Sequence, residues 1–235
     1  MFGEYDIPVN IEQKDLSISV QKEDECLIYR RTCLEEKVEK NLLIKNGKII
    51  LNPVEPLNKP KSLTTYLLIK LGKTLILEPK STKEVFIKFP IEIGVYLSDG
   101  KEFQVLDILT LTKSKFTVYG DPRNGVLCKY WKSDIHSSVP SVDPLYEGVI
   151  RLKIENTNPD WVEITRAVFD AYAMKIYYND QIVGMKATMR IRNGGIADTN
   201  FRDSPIEKGM SHALEIYAVR KLSITTNEFV MEFGL

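Results

Sequence analysis

Apolar and polar residues alternate with period two along most of this 235-residue chain. In VIRLKIEN, Ile150, Leu152 and Ile154 alternate with Arg151, Lys153 and Glu155, the pattern of a strand with one wet face. Val183, Met185, Ala187, Met189 and Ile191 alternate in the same way with Lys186, Thr188, Arg190 and Arg192. Upstream, TTYLLIKL, TLILEP, EVFIKFP and IEIGVYLSDG are short runs rich in β-branched and aromatic residues, each closed by Gly, Pro or Asp. Three joints predict hairpins: Asn46-Gly47, Ser98-Asp99-Gly100 and Arg192-Asn193-Gly194-Gly195. Connections this short join antiparallel strands, because parallel neighbours need a longer crossover.

Helical patterns are few. LEEKVEKNLL (34–43) has the length for about two turns, with a thin apolar face. MSHALEIYAVRKL spaces Ala213, Ile216, Tyr217 and Arg220 for a helix and alternates almost as well for a strand. The Ser-, Pro- and Asp-rich stretch SDIHSSVPSVDPLYEG (133–148) reads as a linker. The expected architecture is mostly β: two antiparallel β-sandwich-like domains with few short helices, spanning residues 1–135 and 146–235. A single larger sandwich is the alternative.

Composition narrows the function classes. At 43% hydrophobic and 27% charged, the chain has the make-up of a globular protein. Its 32 basic and 32 acidic residues cancel, which removes the bulk field of a general nucleic-acid or membrane binder. The opening residues MFGEYDIPVNIEQKDLS lack the basic and apolar regions of a signal peptide, and no apolar run approaches the roughly 20 residues of a membrane span. Three cysteines, an odd number, suit a reducing compartment better than a disulfide framework. A cytoplasmic location is expected.

One stretch invites a chemical reading. In YGDPRNGVLCKYW (119–131), a turn with open N–H groups beside Arg123, Asn124 and Gly125 could cradle an anion, with Lys129 and Trp131 on the following strand. The same residues serve a plain hairpin, Pro122 fixing φ and Gly125 permitting positive φ. Downstream, Asp134 and His136 with Ser137 and Ser138 give a weak hydrolase reading without a Gly-x-Ser-x-Gly elbow. Cys26, Cys33, Cys128, His136 and His212 have no metal-ligand spacing, and neither nucleotide-binding glycine motif occurs. No catalytic residue, metal or cofactor is assigned. Tyr29-Arg30-Arg31, Lys129-Tyr130-Trp131-Lys132 and Arg190-Ile191-Arg192 mix basic and aromatic residues, but LEEKVEK and QKEDE balance them with acids, the composition of a solvated strand face.

Taken together, NPVEPLNKPKSLTTYLLIKL, FPIEIGVYL, FTVYGDPRNGVLCKYWKSDI and YEGVIRLKIEN resemble an uncharacterised archaeal protein family of unknown function. The resemblance covers residues 1–178 and leaves out RNGGIADTNFRDSPIEKG. It implies an archaeal cytoplasmic protein and brings no activity with it. It adds weight to Tyr119, Gly120 and 125–129, and to Pro53, Glu55 and Pro56, although prolines before a strand also set the chain path. The expected function is a non-enzymatic intracellular interaction or scaffold role, its partner another protein or a second copy. Anion sensing by the 119–131 hairpin and an unrecognised hydrolase are the alternatives.

Overall fold

In a computed structural model of the chain, residues 1–23, 26–44, 47–100, 102–121, 123–192, 196–216 and 229–232 are described. After β1 (Gly3–Asp6), a four-strand antiparallel meander forms sheet B: β2 (Val9–Gln13), β3 (Leu16–Glu23), β4 (Cys26–Cys33) and β5 (Glu36–Leu42). β6 (Lys48–Val54) returns to pair with β1. The chain then makes an excursion through β7 (Tyr66–Leu77) and β8 (Thr82–Pro90) before β9 (Glu92–Ser98) and β10 (Phe103–Leu109) complete sheet A in the order β1-β6-β9-β10.

The remaining strands build on that excursion. β11 (Phe116–Tyr119) and β12 (Val126–Ser133) pair as a hairpin, and β12 lies parallel to β7. β13 (Glu147–Asn156) pairs with β8, and β14 (Val162–Asp170) with β7. A single 3₁₀ turn, Ala171–Ala173, leads to β15 (Tyr177–Tyr178), β16 (Val183–Ile191), β17 (Ile196–Arg202), β18 (Ser211–His212) and β19 (Phe229–Glu232). Sheet C runs β11-β12-β7-β14. Sheet D runs β18-β15-β16-β13-β8, with β17 and β19 continuing outward from β16.

The mostly β character follows from the alternation, and so does the layering. Leu16, Ile18, Val20 and Tyr29 of sheet B meet Ile49, Leu51, Ile93 and Val95 of sheet A in one cluster. Ile69 and Ile164 of sheet C meet Ile87, Ile150, Leu152 and Met185 of sheet D in another. Each such aliphatic side chain contributes roughly 1.5–3 kcal/mol on burial, so the paired inner faces hold the two sandwich-like layers together.

Strands from both sides of residues 133–148 share sheets C and D. The chain passes between the two pairs of sheets three times, from β6 to β7, from β8 to β9 and from β10 to β11. Most pairings are antiparallel, and two, β7 with β12 and β13 with β16, are parallel. Each is closed by a long detour: between β13 and β16 the chain visits sheet C as β14, which supplies the crossover that a parallel pair requires.

Two local expectations are corrected. LEEKVEKNLL is no helix: Glu36–Leu42 is strand β5, with Arg30 of β4 bonding Glu39 across the ladder at 2.7 Å. Its dense charge suits an edge strand, where it discourages pairing with other chains. The Asn46-Gly47 joint is no hairpin either, since β5 and β6 lie in different sheets; Asn46 itself is outside the described residues. The β9–β10 hairpin forms as expected. β16 and β17 pair antiparallel, their turn residues 193–195 lying outside the described residues, as does the part of MSHALEIYAVRKL beyond residue 216.

Candidate binding groove and surfaces

The 119–131 stretch is the β11–β12 hairpin, with Pro122 outside the described residues. Its amides turn inward. Arg123 N–H donates to Asp121 Oδ1 at 2.7 Å, and Asn124 and Gly125 N–H donate to the Asp121 carbonyl at 3.2 and 2.5 Å. Positive φ falls on Gly120, at 93°, rather than on Gly125. Gly125 is needed for a different reason: a Cβ there would lie 2.5 Å from the Asp121 carbonyl oxygen.

Lys129 is not near the turn's surface. It is buried, and its ammonium donates to Glu92 Oε1 at 2.8 Å and to the Lys59 carbonyl at 3.3 Å. The other Glu92 oxygen accepts Asn58 N–H at 2.8 Å, and Oε1 also accepts Lys59 N–H at 3.1 Å. Burial pushes the Glu92 carboxyl above the ordinary glutamate value, against the opposing pull of Lys129 and those two amides. Ser114 donates to the same Lys59 carbonyl at 3.0 Å. The cluster therefore joins all three passages between the sheet pairs. Glu92 was missed in the sequence, although an acid inside the apolar run FPIEIGVYL is the signal that exposes it.

Trp131 and Tyr130 line a pocket of about 380 Å³ with Lys113, Lys115 and Lys132. The structure therefore separates the five candidate residues: Arg123, Asn124 and Gly125 at the turn, Lys129 in the interior, Trp131 on this pocket. Arg30 lies on β4 of sheet B, Arg123 in the β11–β12 turn of sheet C and Arg192 just after β16 of sheet D. Asp134 and His136 are not hydrogen-bonded to each other among the described residues. Asp134 lies over Gly72, where a Cβ would meet its Oδ1 at 2.1 Å, and the His136 backbone pairs with Phe86.

A second, mostly apolar groove lies beside β8. Phe86 N–H donates to the His136 carbonyl and His136 N–H to the Phe86 carbonyl, both at 2.9 Å, so residues 133–136 cover the downstream half of this edge. Lys88 N–H donates to Ser133 Oγ at 2.7 Å. Even-numbered residues of β8 thus turn their backbone groups away from β13. By the same alternation Glu84 presents its N–H and C=O outward, and no partner for them occurs among the described residues. Alongside lies a groove of about 400 Å³, walled by Leu75, Ile76, Val85 and Trp161. Trp161 is 66% exposed and Ile76 60%.

The wall is held in place by one buried amide. Asn156 donates to the carbonyls of Glu78 and Asp160, both at 2.9 Å, and its side-chain oxygen accepts Asn158 N–H at 2.9 Å. Lys80 N–H donates to the Asn158 carbonyl at 3.1 Å. These bonds fasten the loop before β14 onto the β7–β8 turn and fix the position of Trp161.

The outer face of sheet D adjoins the groove through Glu84. Register places Arg151, Lys186 and Arg202 side by side across β13, β16 and β17. Arg151 is bonded to Glu84 at 2.6 Å, whereas Lys186 and Arg202 have no carboxylate within ion-pair distance among the described residues. Strands about 4.8 Å apart bring these like charges together, at a cost of roughly 0.2–1 kcal/mol for each neighbouring pair. The row lines a shallow hollow of about 200 Å³ with Lys153 and Ser204. Further along the strands, Glu155 accepts from Lys153 at 2.6 Å and from Arg190 at 3.0 Å, and Arg192 meets Asp198 at 2.5 Å.

Cys26, Cys33 and Cys128 are unpaired. Burial pushes the Cys128 thiol up to about 12. Among the described residues, no helix is long and apolar enough to cross a membrane. Among known proteins, one family model matches residues 1–232, described as a protein of unknown function (DUF432). No curated protein and no solved structure matches the chain.

Proposed function

The chain belongs to the DUF432 family of proteins of unknown function, and from its geometry we propose that it is a non-catalytic binding protein that takes an extended segment of another protein onto the open edge of β8. The observation that carries this is the groove: outward-facing backbone groups at Glu84 lie beside exposed Trp161 and Ile76. Strand addition uses these two elements, main-chain hydrogen bonds for affinity and side-chain pockets for selection. Residues 133–136 already use the downstream half of the edge in that way. Aromatic anchors of this kind dominate binding energy where proteins meet. Three unpaired cysteines support placing this activity in the cytoplasm.

Two variants test the reading without disturbing the interior. Glu84→Pro removes the outward N–H while leaving the β8–β13 ladder intact, since proline is tolerated where the N–H faces off the edge. Trp161→Ser removes the anchor. A protein retained from cell extract by the wild type and lost at least tenfold from both variants supports the proposal; equal retention by all three overturns it. Light scattering of the same proteins covers the other occupant. A wild-type dimer that becomes monomeric in both variants identifies the partner as a second copy.

A second reading rests on the Trp131 pocket, where two aromatic walls and three lysines suit a small aromatic anion. In a Trp161→Phe background Trp131 is the sole tryptophan. Saturable quenching of its fluorescence by phenyl phosphate, abolished in Lys113→Gln/Lys115→Gln, supports this site. Quenching that survives the lysine changes removes it.

A further inference from the structure

The cation row on sheet D meets the β8 groove only at Glu84, which lines both hollows, and its charge arrangement selects a different ligand. Arg151, Lys186 and Arg202 stand abreast on three adjacent strands, so the row spans roughly 10 Å at the usual strand spacing. Two of the three have no carboxylate partner among the described residues. Lys153 is next to Arg151 on the same wet face of β13, and Ser204 reaches the same hollow from the end of β17. Arginine offers a planar fork of donors to an oxyanion and lysine a compact point charge.

Size follows from what surrounds the row. On the β8 side stands Glu84. Along the strands stand Glu155 and Asp198, each already holding cations. A long polyanion leaving the hollow in those directions meets carboxylates within one strand or one residue pair. No tryptophan, tyrosine or phenylalanine lines the hollow, so stacking of bases has no platform. Arg202 also lines the neighbouring hollow with Arg190 and Arg192, but there Glu155 and Asp198 hold the cations, so the two free cations, Lys186 and Arg202, span about the length of one short phosphate chain.

We propose that this row is a binding site for a free inorganic oligophosphate of the di- or triphosphate class. Its oxygens bridge Lys186 and Arg202, Arg151 shares one edge between the ligand and Glu84, and Ser204 donates a neutral hydrogen bond. Binding relieves the repulsion that the strand register builds into the row, and a ligand that binds only the folded chain raises its melting temperature.

The test is thermal unfolding and calorimetry of the full chain with sodium tripolyphosphate, matched in ionic strength by sodium chloride. The expected result is a saturable rise in melting temperature. Affinity should fall at least tenfold in Lys186→Gln/Arg202→Gln and stay unchanged in Lys22→Gln on sheet B. Both altered side chains are solvent-facing, so the melting temperature without ligand checks that the fold persists. An equal response in the double variant overturns the site, as does no response in the wild type. Tighter binding of oligothymidylate or polyglutamate than of tripolyphosphate overturns the compact-ligand assignment.

Discussion

Single side chains decide how the parts of this protein are held. Asn156 is buried and divides its amide between the β7–β8 turn and the loop that carries Trp161, so Asn156→Ala leaves the Glu78 and Asp160 carbonyls without their donor. The expected loss is about 1–3 kcal/mol in urea unfolding, together with faster hydrogen exchange in residues 156–161. Glu92→Gln acts on a larger scale. It strands the buried Lys129 ammonium, and removal of one member of such a pair costs about 3–5 kcal/mol. Glu92→Gln/Lys129→Met should recover much of that loss, because no buried charge is then left uncompensated. A double variant no more stable than the single one would show that the amides of Asn58 and Lys59, not the ion pair, set the cost. At this scale the sequence was partly legible. An acid inside FPIEIGVYL and a lysine inside VLCKYW are both visible as anomalies. Their contact is not, since it spans strands that meet only in the fold.

Among elements, alternation carried the most information. β13 and β16 were readable from period two alone, down to which residues are wet. LEEKVEKNLL misled because its charges also fit a helix surface. What decides the matter is the neighbouring strand: Arg30 and Arg31 of β4 meet Glu39 and Glu36, a pairing no single segment can announce. Parallel neighbours were equally hidden, since short turns advertise only antiparallel ones. The β13–β16 contact yields a pH prediction. Hydrogen bonds from Lys153 and Arg190 hold the Glu155 carboxyl below the ordinary value of about 4.3. Its folded value is lower than its unfolded one, so its contribution to stability is complete above the unfolded value and fades as pH falls through the folded value. Wild type should therefore exceed Glu155→Gln in urea midpoint at pH 7, with the gap closing on acidification. A gap that widens toward low pH would contradict the assigned direction.

For the whole molecule, the three passages between sheet pairs are the dominant constraint. They tie the order of strands in one layer pair to the presence of strands in the other, and the Glu92–Lys129 cluster sits on all three. We expect one calorimetric transition for the wild type and two separated transitions for Glu92→Gln. A wild type that already melts in two steps would mean that the passages do not couple the layers. The Ser- and Pro-rich stretch at 133–148 marked a real break in periodicity. Sheet membership, however, is decided by which faces can cover one another, and that information is distributed over the whole chain.

The excursion through β7 and β8 also orders events on the ribosome. Sheet A lacks β9 and β10 until residue 109 has been delivered, so sheet B waits for a complete floor to pack on. β8 waits longer, because its neighbour β13 begins only at Glu147. Until β12 and residues 133–136 follow, the apolar runs of β7 and β8 have both flanks bare, and a nascent chain paused there would be a natural client for a chaperone.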